Sequence, residues 1–330
     1  MPQIPTFPHQ VGMHCSSTSV QNVLRYDGID LSEAMVFGLG SGLGFFYIFD
    51  PAASPTHVFN GRSANLEGNF YQHIGQPLKW EKRWNPQTMA AVLANGRPIL
   101  AQSDIFYLPY YQPAVHFIGH GIVITGIDLD AQTADIADIA DDALLTVSLA
   151  NLQAALQDER PPLLRPYHWT QTPHLTTINI IPENLITAIL ATCSYMLTPP
   201  SPQEGLPAMQ QMAYSLPHWH EMDDWAWAAR FGYQAIEKRG TGGGGFRHLY
   251  ADFLHEAATY LPALINTNAA VRFHKLGIKW SEFAQRLKAV FVEQNPGHFE
   301  AAALVLAEIV EEETAVLQTL QELFLTHDLR

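Results

Sequence analysis

The stretch VGMHCSSTSVQNVL, residues 11 to 24, places a cysteine directly before a run whose pattern predicts a helix. The free N–H groups and partial positive charge of a helix N-terminus lower the pKa of a thiol placed there, and the thiolate is the nucleophilic form. Ser16, Ser17 and Thr18 suit a first helical turn. Cys15 is therefore a candidate nucleophile, and the structural alternative is a small buried residue at a helix start.

A nucleophilic cysteine needs a base, and HFIGHGIVITGID at residues 116 to 128 offers two histidines. His116 and His120 have equal parity and share a strand face, but they lie about 13 Å apart at ~3.3 Å per residue. Only one of them can reach the sulfur. His120 leads directly into the apolar run at residues 122–124, whereas His116 follows a loop-like YLPYYQPAV stretch. The sequence favours His120 and keeps His116 as the alternative.

An orienting carboxylate is expected on the neighbouring strand, because the base needs an acceptor for its other nitrogen. The turn signal DLDAQ, residues 128 to 132, joins that strand to ADIAD. A hairpin centred on Leu129 places Asp138 directly opposite His120, whereas a turn centred one to two positions later would favour Asp141. The remaining acidic side chains of the region are predicted to be mostly solvated turn charges, and they are Asp135, Asp141 and Asp142.

Two glycine-rich stretches do not fit nucleotide-binding motifs. FGLGSGLGF, residues 37–45, is no dinucleotide fingerprint and predicts a flexible or tightly packed loop near the site, with close approach of the backbone to substrate as the alternative. GTGGGG, residues 240–245, lacks the Gly-Lys-Ser/Thr ending of a phosphate loop. A mobile lid or a contact to a phosphopantetheine arm is the functional alternative there. The histidines and carboxylates of residues 215–234 predict a helix N-terminus and no metal site.

Composition and charge exclude several classes of protein. Lys and Arg number 18 against 32 Asp and Glu, so the net charge of −14 argues against nucleic-acid binding. The first ten residues lack the pattern of a signal peptide, and no stretch approaches 18 uninterrupted apolar residues. Two cysteines cannot build a disulfide framework, and Cys193 lies on an apolar helix face where a core role is predicted. We therefore expect a cytoplasmic protein with no membrane partner.

The texture of the chain changes near residue 182. Short β-rich runs and a few helices precede it, which predicts an α+β domain over residues 1–181. The remainder has helical periodicity and predicts an all-α domain over residues 182–330. The helices expected there cover residues 183–197, 206–215, 223–237, 246–262, 268–276, 280–294 and 298–326.

Three stretches resemble the butirosin biosynthesis protein H family. They are HCSSTSVQNVLRYDGIDLSEAMVFGLGSGLGFFY at 14–47, SDIFYLPYYQPAVHFIGHGIVITGID at 103–128 and RGTGGGGFRHLYADFLHEA at 239–257. The resemblance extends from about residue 9 to about residue 260. It implies a papain-like cysteine domain followed by a helical domain of undefined role. It also implies transfer of an acyl group from a carrier-protein thioester to an amine of an aminoglycoside.

Carried over by residue, the resemblance places the nucleophile on Cys15, the histidine on His120 and the acid on Asp138. Papain-like enzymes usually have a glutamine six residues before the cysteine to help hold the oxyanion. Here that position is His9, and Gln10 lies five residues before the cysteine, so both are candidate oxyanion donors. The backbone N–H of Cys15 is a further donor.

Together with the candidate triad, the resemblance therefore implies an amide-forming acyltransferase with no cofactor, whose thioester donor can carry phosphopantetheine. The donor is an acyl carrier protein or acyl-CoA, and the acceptor is a small-molecule amine. A cysteine hydrolase or peptidase with the same triad and a non-catalytic binding protein are the alternatives. An acidic carrier protein needs a local basic patch, for which Arg160 and Arg165 are candidates. No feature of the sequence predicts an oligomeric state.

Overall fold

The computed structural model describes residues 3, 4, 6–112, 116–157 and 168–325. Two compact units share these residues. The first comprises Met1–Val36 and Ala64–Asn179, and the second comprises Phe37–Ser63 and Ile180–Arg330. The chain is α+β, as predicted, with its larger sheet in the N-terminal half and most of its helices in the C-terminal half.

Strands and helices are mixed along the chain up to β7 (Trp169–Gln171), and the described elements after β7 are all helices. The strands are β1 Leu43–Phe49, β2 His57–Arg62, β3 Ile99–Asp104, β4 Ile118–Asp128, β5 Thr133–Ala137, β6 Leu145–Ser148 and β7 Trp169–Gln171. The α-helices are α1 Cys15–Tyr26, α2 Glu33–Leu39, α3 Leu66–His73, α4 Pro86–Ala94, α5 Leu149–Gln157, α6 Pro182–Leu197, α7 Gly205–Ser215, α8 Trp225–Glu237, α9 Arg247–Ala257, α10 Ala263–Thr267, α11 Ala269–Val292 and α12 His298–Leu325. Short 3₁₀ segments lie between some of them.

The first unit is built around a five-stranded antiparallel sheet with strand order β6-β5-β4-β3-β7. Successive residues of β4, Ile122 and Val123, are both fully buried, so both faces of this strand are covered. Helices α1 and α4 pack against β4, and α5 packs against β3. A strand covered on both faces provides a rigid support for any side chain at its end.

The second unit combines a two-stranded antiparallel hairpin with the long C-terminal helices. Strands β1 and β2 form the hairpin, and they pack against α7 and α8 respectively. Helix α11 packs against α8, α9 and α12. Among the described residues, no helix has both the length and the apolar character needed to cross a bilayer.

The compact units differ from the predicted contiguous division at residue 181 in one segment, Phe37–Ser63. It precedes most of the sheet in sequence, yet it belongs to the helical unit because the hairpin buries its aromatic side chains there. Phe45 and Phe59 lie against each other, and Phe45 also contacts Trp280 of α11. The later chain crossing, between Asn179 and Ile180, lies close to the predicted boundary.

The glycine-rich stretch at residues 240–245 is a packed turn. Gly244 and Gly245 are buried and have positive φ angles of 59° and 57°, which favour glycine. A Cβ on Gly244 would lie 2.7 Å from the carbonyl oxygen of Gly277. The guanidinium of Arg247 donates to the carbonyl of Gly245 at 2.7 Å. These contacts favour a structural role for the turn over a mobile lid.

A fully buried ion pair fixes that turn. The guanidinium of Arg247 donates to both carboxylate oxygens of Glu313, at 2.7 and 2.9 Å, and neither side chain is exposed. The indole of Trp280 donates to the same carboxylate at 2.7 Å. A buried pair of charges is tolerated when further hydrogen bonds satisfy it, as they do here.

Candidate active site

Cys15 is the first residue of α1, and its thiol is free and buried, with 5% of the residue exposed. His14 is the N-cap residue, and its imidazole accepts a hydrogen bond from the backbone N–H of Ser17. The predicted helix start is therefore confirmed. The sulfur lies at the end of the helix where the backbone N–H groups are directed outward.

A carboxylate that sequence reasoning missed anchors the loop before the cysteine. Glu33, the first residue of α2, accepts hydrogen bonds from the backbone N–H groups of Met13 and His14 at 2.8 and 2.7 Å. It also accepts from the hydroxyls of Ser17 and Thr18 at 2.9 and 3.2 Å. Glu33 thereby fixes both the loop and the first turn of α1. The sequence signal was a Ser32-Glu33 helix start, which by itself identifies no partner.

His120 lies near the beginning of β4 and is buried, with 4% of the residue exposed. It pairs with Ser103 of β3, whose hydroxyl donates to the His120 carbonyl at 3.1 Å. The next residue, Gly121, lies against the first turn of α1, because a Cβ there would be 3.0 Å from the Cα of Ser16. Glycine at this position allows the N-terminus of α1, and with it Cys15, to approach the strand.

Asp138 follows the last residue of β5 and orients the His120 ring. Its Oδ2 lies 2.9 Å from Nε2 of His120, and both groups are buried. The hydroxyls of Tyr110 and Tyr111 each donate to the carboxylate at 2.7 Å. The backbone N–H of Ala140 donates to it at 3.1 Å. With Nε2 occupied in this way, Nδ1 is the nitrogen of His120 that remains for the sulfur.

The register that brings Asp138 to His120 differs from the predicted one. Val123 pairs with Ala137, and Asp128 pairs with Thr133, so the turn is centred one to two positions after Leu129. The predicted register was therefore wrong. Asp138 still reaches the ring because β5 ends at Ala137 and the chain turns there. The side chain approaches His120 from the strand end, not from a paired position.

Electrostatics favour a charged pair of nucleophile and base. Burial raises the pKa of the Cys15 thiol, but the charges of His120 and His14 and their hydrogen bonds outweigh it, so the pKa is well below that of a free thiol. Burial lowers the pKa of His120, whereas Asp138 and the Cys15 thiolate raise it to about 10. At neutral pH this geometry supports a thiolate beside an imidazolium.

The carboxylate at the far side of the ring stays ionised. Burial raises the pKa of Asp138, but the charge of His120 and the hydrogen bonds of His120, Tyr111 and Tyr110 lower it to about 2. Burial and the nearby Asp138 charge raise the pKa values of both tyrosines, which therefore remain neutral donors. Sequence reasoning placed these tyrosines in a loop and assigned them no role, because a YY pair carries no motif.

The two candidate side-chain oxyanion donors have other surroundings. The Nε2 of His9 lies 3.1 and 2.8 Å from the backbone carbonyls of Asp138 and Asp141, and its Nδ1 lies 3.1 Å from the amide nitrogen of Asn22. Its ring thus holds the loop that carries Asp138. Gln10 is exposed, and its backbone pairs with Asn22.

Backbone N–H groups offer an alternative oxyanion site. Among the described residues, no hydrogen bond engages the N–H groups of Cys15 and Ser16, whereas those of Met13 and His14 bind Glu33. Both open groups belong to the first turn of α1. A carbonyl oxygen at the Cys15 sulfur would face this turn.

The remaining candidates lie in other environments. The alternative histidine, His116, has its Nδ1 2.6 Å from the buried carboxylate of Asp104. The Asp141 side chain is exposed and accepts from the N–H of Ala143, and Asp142 is exposed. Asp135 accepts from Gln3 and Thr146. Arg160 and Arg165 lie outside the described residues.

Two glycines of residues 37–45, Gly38 and Gly44, serve packing within the second unit. A Cβ on Gly38 would overlap the ring of Phe253, and one on Gly44 would lie 2.7 Å from the backbone nitrogen of Ser63. Among the described residues, no group of three or more His, Cys, Asp or Glu side chains is arranged to hold a metal ion.

The fold and the site together define an α+β protein with a buried cysteine, histidine and aspartate around one helix terminus. A family model described as butirosin biosynthesis protein H, N-terminal, matches residues 14–139. A model described as a domain of unknown function, DUF4872, matches residues 151–320, which is more than half of the chain. The chain therefore belongs to the butirosin biosynthesis protein H family, with DUF4872 as its C-terminal region.

This membership confirms the resemblance seen in the sequence, and the name of the family associates it with natural-product biosynthesis. The N-terminal match contains the segments with Cys15, His120 and Asp138. No curated protein matches the chain significantly.

Proposed function

We propose that this chain is a cysteine-dependent acyltransferase of natural-product biosynthesis that forms an amide from a thioester and an amine. The observation that carries the proposal is the buried Cys15 thiol at the start of α1 together with the buried His120 imidazole, which has Asp138 2.9 Å behind the ring. In this arrangement the pKa of the thiol is lowered and that of the imidazole is raised. The family name supports a biosynthetic role. Both cysteines are free thiols, which is compatible with a reducing cytoplasmic environment.

The proposed fold of the first unit is papain-like. The nucleophile begins a buried helix, the base lies on an antiparallel strand, and the acceptor follows the neighbouring strand. In papain-like enzymes the same three parts occur in the same chain order. The helix terminus and the strand are both packed elements, so the sulfur and the imidazole are preorganised.

In the first half-reaction, the Cys15 thiolate attacks the carbonyl carbon of the thioester and forms a new carbon–sulfur bond. The bond between the carbonyl carbon and the donor sulfur breaks, and the donor leaves as a thiol with the proton of the His120 imidazolium. The backbone N–H groups of Cys15 and Ser16 would bind the oxyanion of the tetrahedral intermediate. Neutral His120 and an acylated Cys15 remain.

In the second half-reaction, an uncharged amine attacks the acyl carbonyl. Nδ1 of His120 takes the proton from the attacking nitrogen, and the bond to the Cys15 sulfur breaks. The products are an amide and the restored thiolate–imidazolium pair. Asp138 keeps the ring oriented throughout and remains ionised, since its pKa of about 2 lies far below neutral pH.

Transfer competes with hydrolysis at the acyl-enzyme. An amine held next to the carbonyl can have an effective molarity of about 10⁵ M or more, which exceeds the concentration of water by far. Amide formation therefore wins when an acceptor is bound in a productive position. A hydrolase or peptidase would use the same three side chains but would bind no amine.

The test is to incubate the protein with acyl thioesters of coenzyme A and of a carrier protein, and to follow intact mass and products by mass spectrometry with a panel of amines. We expect a Cys15 acyl adduct and an amide that forms faster than free acid with the correct amine. Free acid at the same rate with every amine, or rapid peptide cleavage, would establish the hydrolase alternative. No adduct with any thioester, together with full pathway activity of Cys15→Ala, would establish a non-catalytic binding protein.

A further inference from the structure

Three of the cations in the first unit lie within one short segment, KWEKRW at residues 79–84. We name this segment the basic strip. It contains Lys79, Lys82 and Arg83, flanked by Trp80 and Trp84. All Lys and Arg of the first unit are Arg25, Lys79, Lys82, Arg83, Arg97, Arg160 and Arg165. A cluster of this kind is unusual in a chain with a net charge of −14.

The cations of the basic strip are exposed and available. Lys79, Lys82 and Arg83 are all exposed, and none of them forms an ion pair with a described residue. By contrast, Arg97 of the same unit is buried in a bidentate pair with Asp27, at 2.6 and 3.0 Å. The charge of the basic strip is therefore not consumed by the fold of the described residues.

The backbone of the basic strip is fixed to the edge strand of the sheet. The N–H of Glu81 donates to the carbonyl of Trp169 at 2.8 Å, and the indole of Trp169 donates to the carbonyl of Arg83 at 3.0 Å. The hydroxyl of Thr170 donates to the carbonyl of Lys79 at 2.9 Å. Hydrogen bonds at Lys79, Glu81 and Arg83 therefore fix the backbone that carries the cations to β7.

Trp80 adds a further contact that fixes the position of the strip along the sheet. Its ring stacks on that of His168, with centroids 3.8 Å apart and an angle of 16°. The carbonyl of His168 accepts from the N–H of Gln102 on β3. Gln102 pairs with Gly121, the residue after His120. The basic strip therefore lies at the level of the candidate base.

The distance to that base follows from the strand spacing. From β4 through β3 and β7 to the basic strip there are three steps of ~4.8 Å, which gives about 14 Å. A phosphopantetheine arm contains about 13 bonds between its phosphorus and its sulfur. At roughly 3.5 Å for each three bonds of an extended chain, the arm reaches about 15 Å. The thioester of a carrier docked at this edge can therefore span the distance to the site.

We infer that the basic strip is the docking surface for the acidic carrier protein that delivers the acyl thioester. This inference rests on the proposed function and names the partner surface for it. Exposed cations attract an acidic surface and accelerate its encounter. The rings of Trp80 and Trp84 are half-buried and provide apolar contact area beside the charges.

The experiment compares two donors of the same acyl group: a holo acyl carrier protein and the small thioester of N-acetylcysteamine. The rate of Cys15 acylation is followed by intact mass under single-turnover conditions. In Lys79→Glu/Lys82→Glu/Arg83→Glu we expect the second-order rate constant with the carrier protein to fall by about tenfold or more. The constant for the small thioester should stay within about twofold, since that donor needs no docking surface.

A matched control carries the same change of net charge elsewhere. Arg230, Lys238 and Lys275 are exposed cations of the second unit that form no ion pair with a described residue. Arg230→Glu/Lys238→Glu/Lys275→Glu should leave the carrier-protein rate within about twofold. An equal loss in both triple variants would reduce the effect to net charge and overturn the inference. Unchanged acylation by the carrier in the strip variant would also overturn it.

Failure of the proposed function would be visible separately. If neither donor acylates Cys15, carrier binding is measured by calorimetry with Cys15→Ala and with the same protein carrying the three strip substitutions. Binding that disappears with the substitutions supports the docking surface. Equal binding of the carrier by both proteins would overturn it. So would a basic strip that binds vesicles of phosphatidylglycerol but not the carrier.

Discussion

The His120 ring is positioned from several directions at once, which is unusual for a single side chain. One nitrogen faces the Asp138 carboxylate, the backbone carbonyl is held by Ser103, and the edge of the Tyr111 ring lies against it at 5.4 Å between centroids. The Asp138 carboxylate and the Tyr111 ring restrict rotation of the imidazole, and the Ser103 hydrogen bond fixes the backbone that carries it. A base held in this way pays little reorganisation cost when it accepts a proton.

At the level of the sulfur, we predict selective alkylation of Cys15. The pKa of its thiol is low because of His120 and His14. Cys193 is fully buried, and this burial raises the pKa of its thiol to about 12. Incubation with iodoacetamide and intact mass analysis should give one fast adduct at Cys15. The labelling rate should stay nearly constant from neutral pH downward until the pH reaches the lowered thiol pKa.

The control is His120→Ala, which removes the largest of the contributions that lower the thiol pKa. Its labelling should slow at neutral pH and recover at alkaline pH, because burial raises the thiol pKa and only His14 then opposes it. Equal labelling of Cys193, or the same pH profile in the variant, would contradict this assignment.

The Asp138 carboxylate predicts a specific dependence of stability on pH. Its pKa is about 2 in the folded protein, below the unfolded value of about 3.9, so its contribution is complete above the unfolded value and is lost as pH falls toward 2. A shift of this size contributes about 2 kcal/mol to the free energy of unfolding. Urea unfolding between pH 6 and pH 2 should show this loss.

The same measurement on Asp138→Asn should give a flatter acid limb. The variant also lowers the pKa of His120, because Asp138 is the largest contribution that raises it. The His120 contribution is complete below its unfolded pKa of about 6.5 and is lost as pH rises through about 10, so the variant should also lose less stability at alkaline pH. Parallel curves for both proteins would contradict the assigned pair.

Among the elements, α1 and β4 form the contact on which the site depends. The side chains of α1 from Cys15 to Leu24 are buried, including several that are polar. Displacement of the helix would therefore disrupt many buried contacts. The N-terminus of α1 meets β4 at Gly121. Chemistry at the sulfur therefore depends on how closely one helix approaches one strand.

Substitution of Gly121 tests this contact. A Cβ at this position would lie 3.0 Å from the Cα and 3.1 Å from the N of Ser16, so in Gly121→Ala the helix start must shift by a few tenths of an ångström. We expect Cys15 alkylation or acylation to slow by about tenfold, since misplacement by 1 Å costs ~100-fold. Gly121→Val should slow it further.

Gly297→Ala is the matched control, because a Cβ there meets only the side chain of Asn295. It should leave the rate of Cys15 modification unchanged. Circular dichroism of all three variants separates a local shift from unfolding. Full reactivity of Gly121→Val would show that the approach of α1 to β4 is not limiting.

At this scale the sequence predicted much of the helical region but not its details. The patterns at residues 268–276 and 280–294 suggested two helices with a break near Gly277, whereas α11 runs continuously through it. Gly277 serves packing instead, since a Cβ would overlap the ring of His248 at 2.5 Å. Local propensity cannot distinguish a glycine that ends a helix from one that lets another side chain approach.

The site was predictable to a similar degree. Cys15 and His120 followed from local patterns, whereas Asp138 was identified through a register that the structure corrects. Asp128 pairs with Thr133, so the error lies in the centre of the turn, which the DLDAQ signal does not fix to the residue. Glu33 and the tyrosine pair were missed because their roles depend on contacts between elements distant in sequence.

On the scale of the whole molecule, sequence order misassigned one segment. Residues 37–63 pair as a hairpin whose aromatic side chains belong to the helical unit, although neighbouring sequence on both sides belongs to the other unit. The chain passes between the two units at several points, and the change of composition near residue 182 identifies only the last of them. The earlier crossings fall where helices and strands alternate, so composition does not change there.

The net charge of −14 leads to a prediction about the amine acceptor. A negative field raises the local concentration of cations, so an acceptor with several ammonium groups should be favoured over one with a single group. With acylated protein, spermidine should therefore give a higher kcat/KM for amide formation than propylamine. The ratio of kcat/KM for spermidine to that for propylamine should fall by about tenfold between 50 mM and 500 mM salt, since the Debye length shrinks from roughly 14 Å to roughly 4 Å.

Release of free acid provides an internal control, because water is neutral and its attack should not respond to salt in this way. A spermidine preference that persists unchanged at high salt would assign the selectivity to specific contacts in an acceptor pocket. Equal kcat/KM for both amines at low salt would contradict the electrostatic prediction altogether.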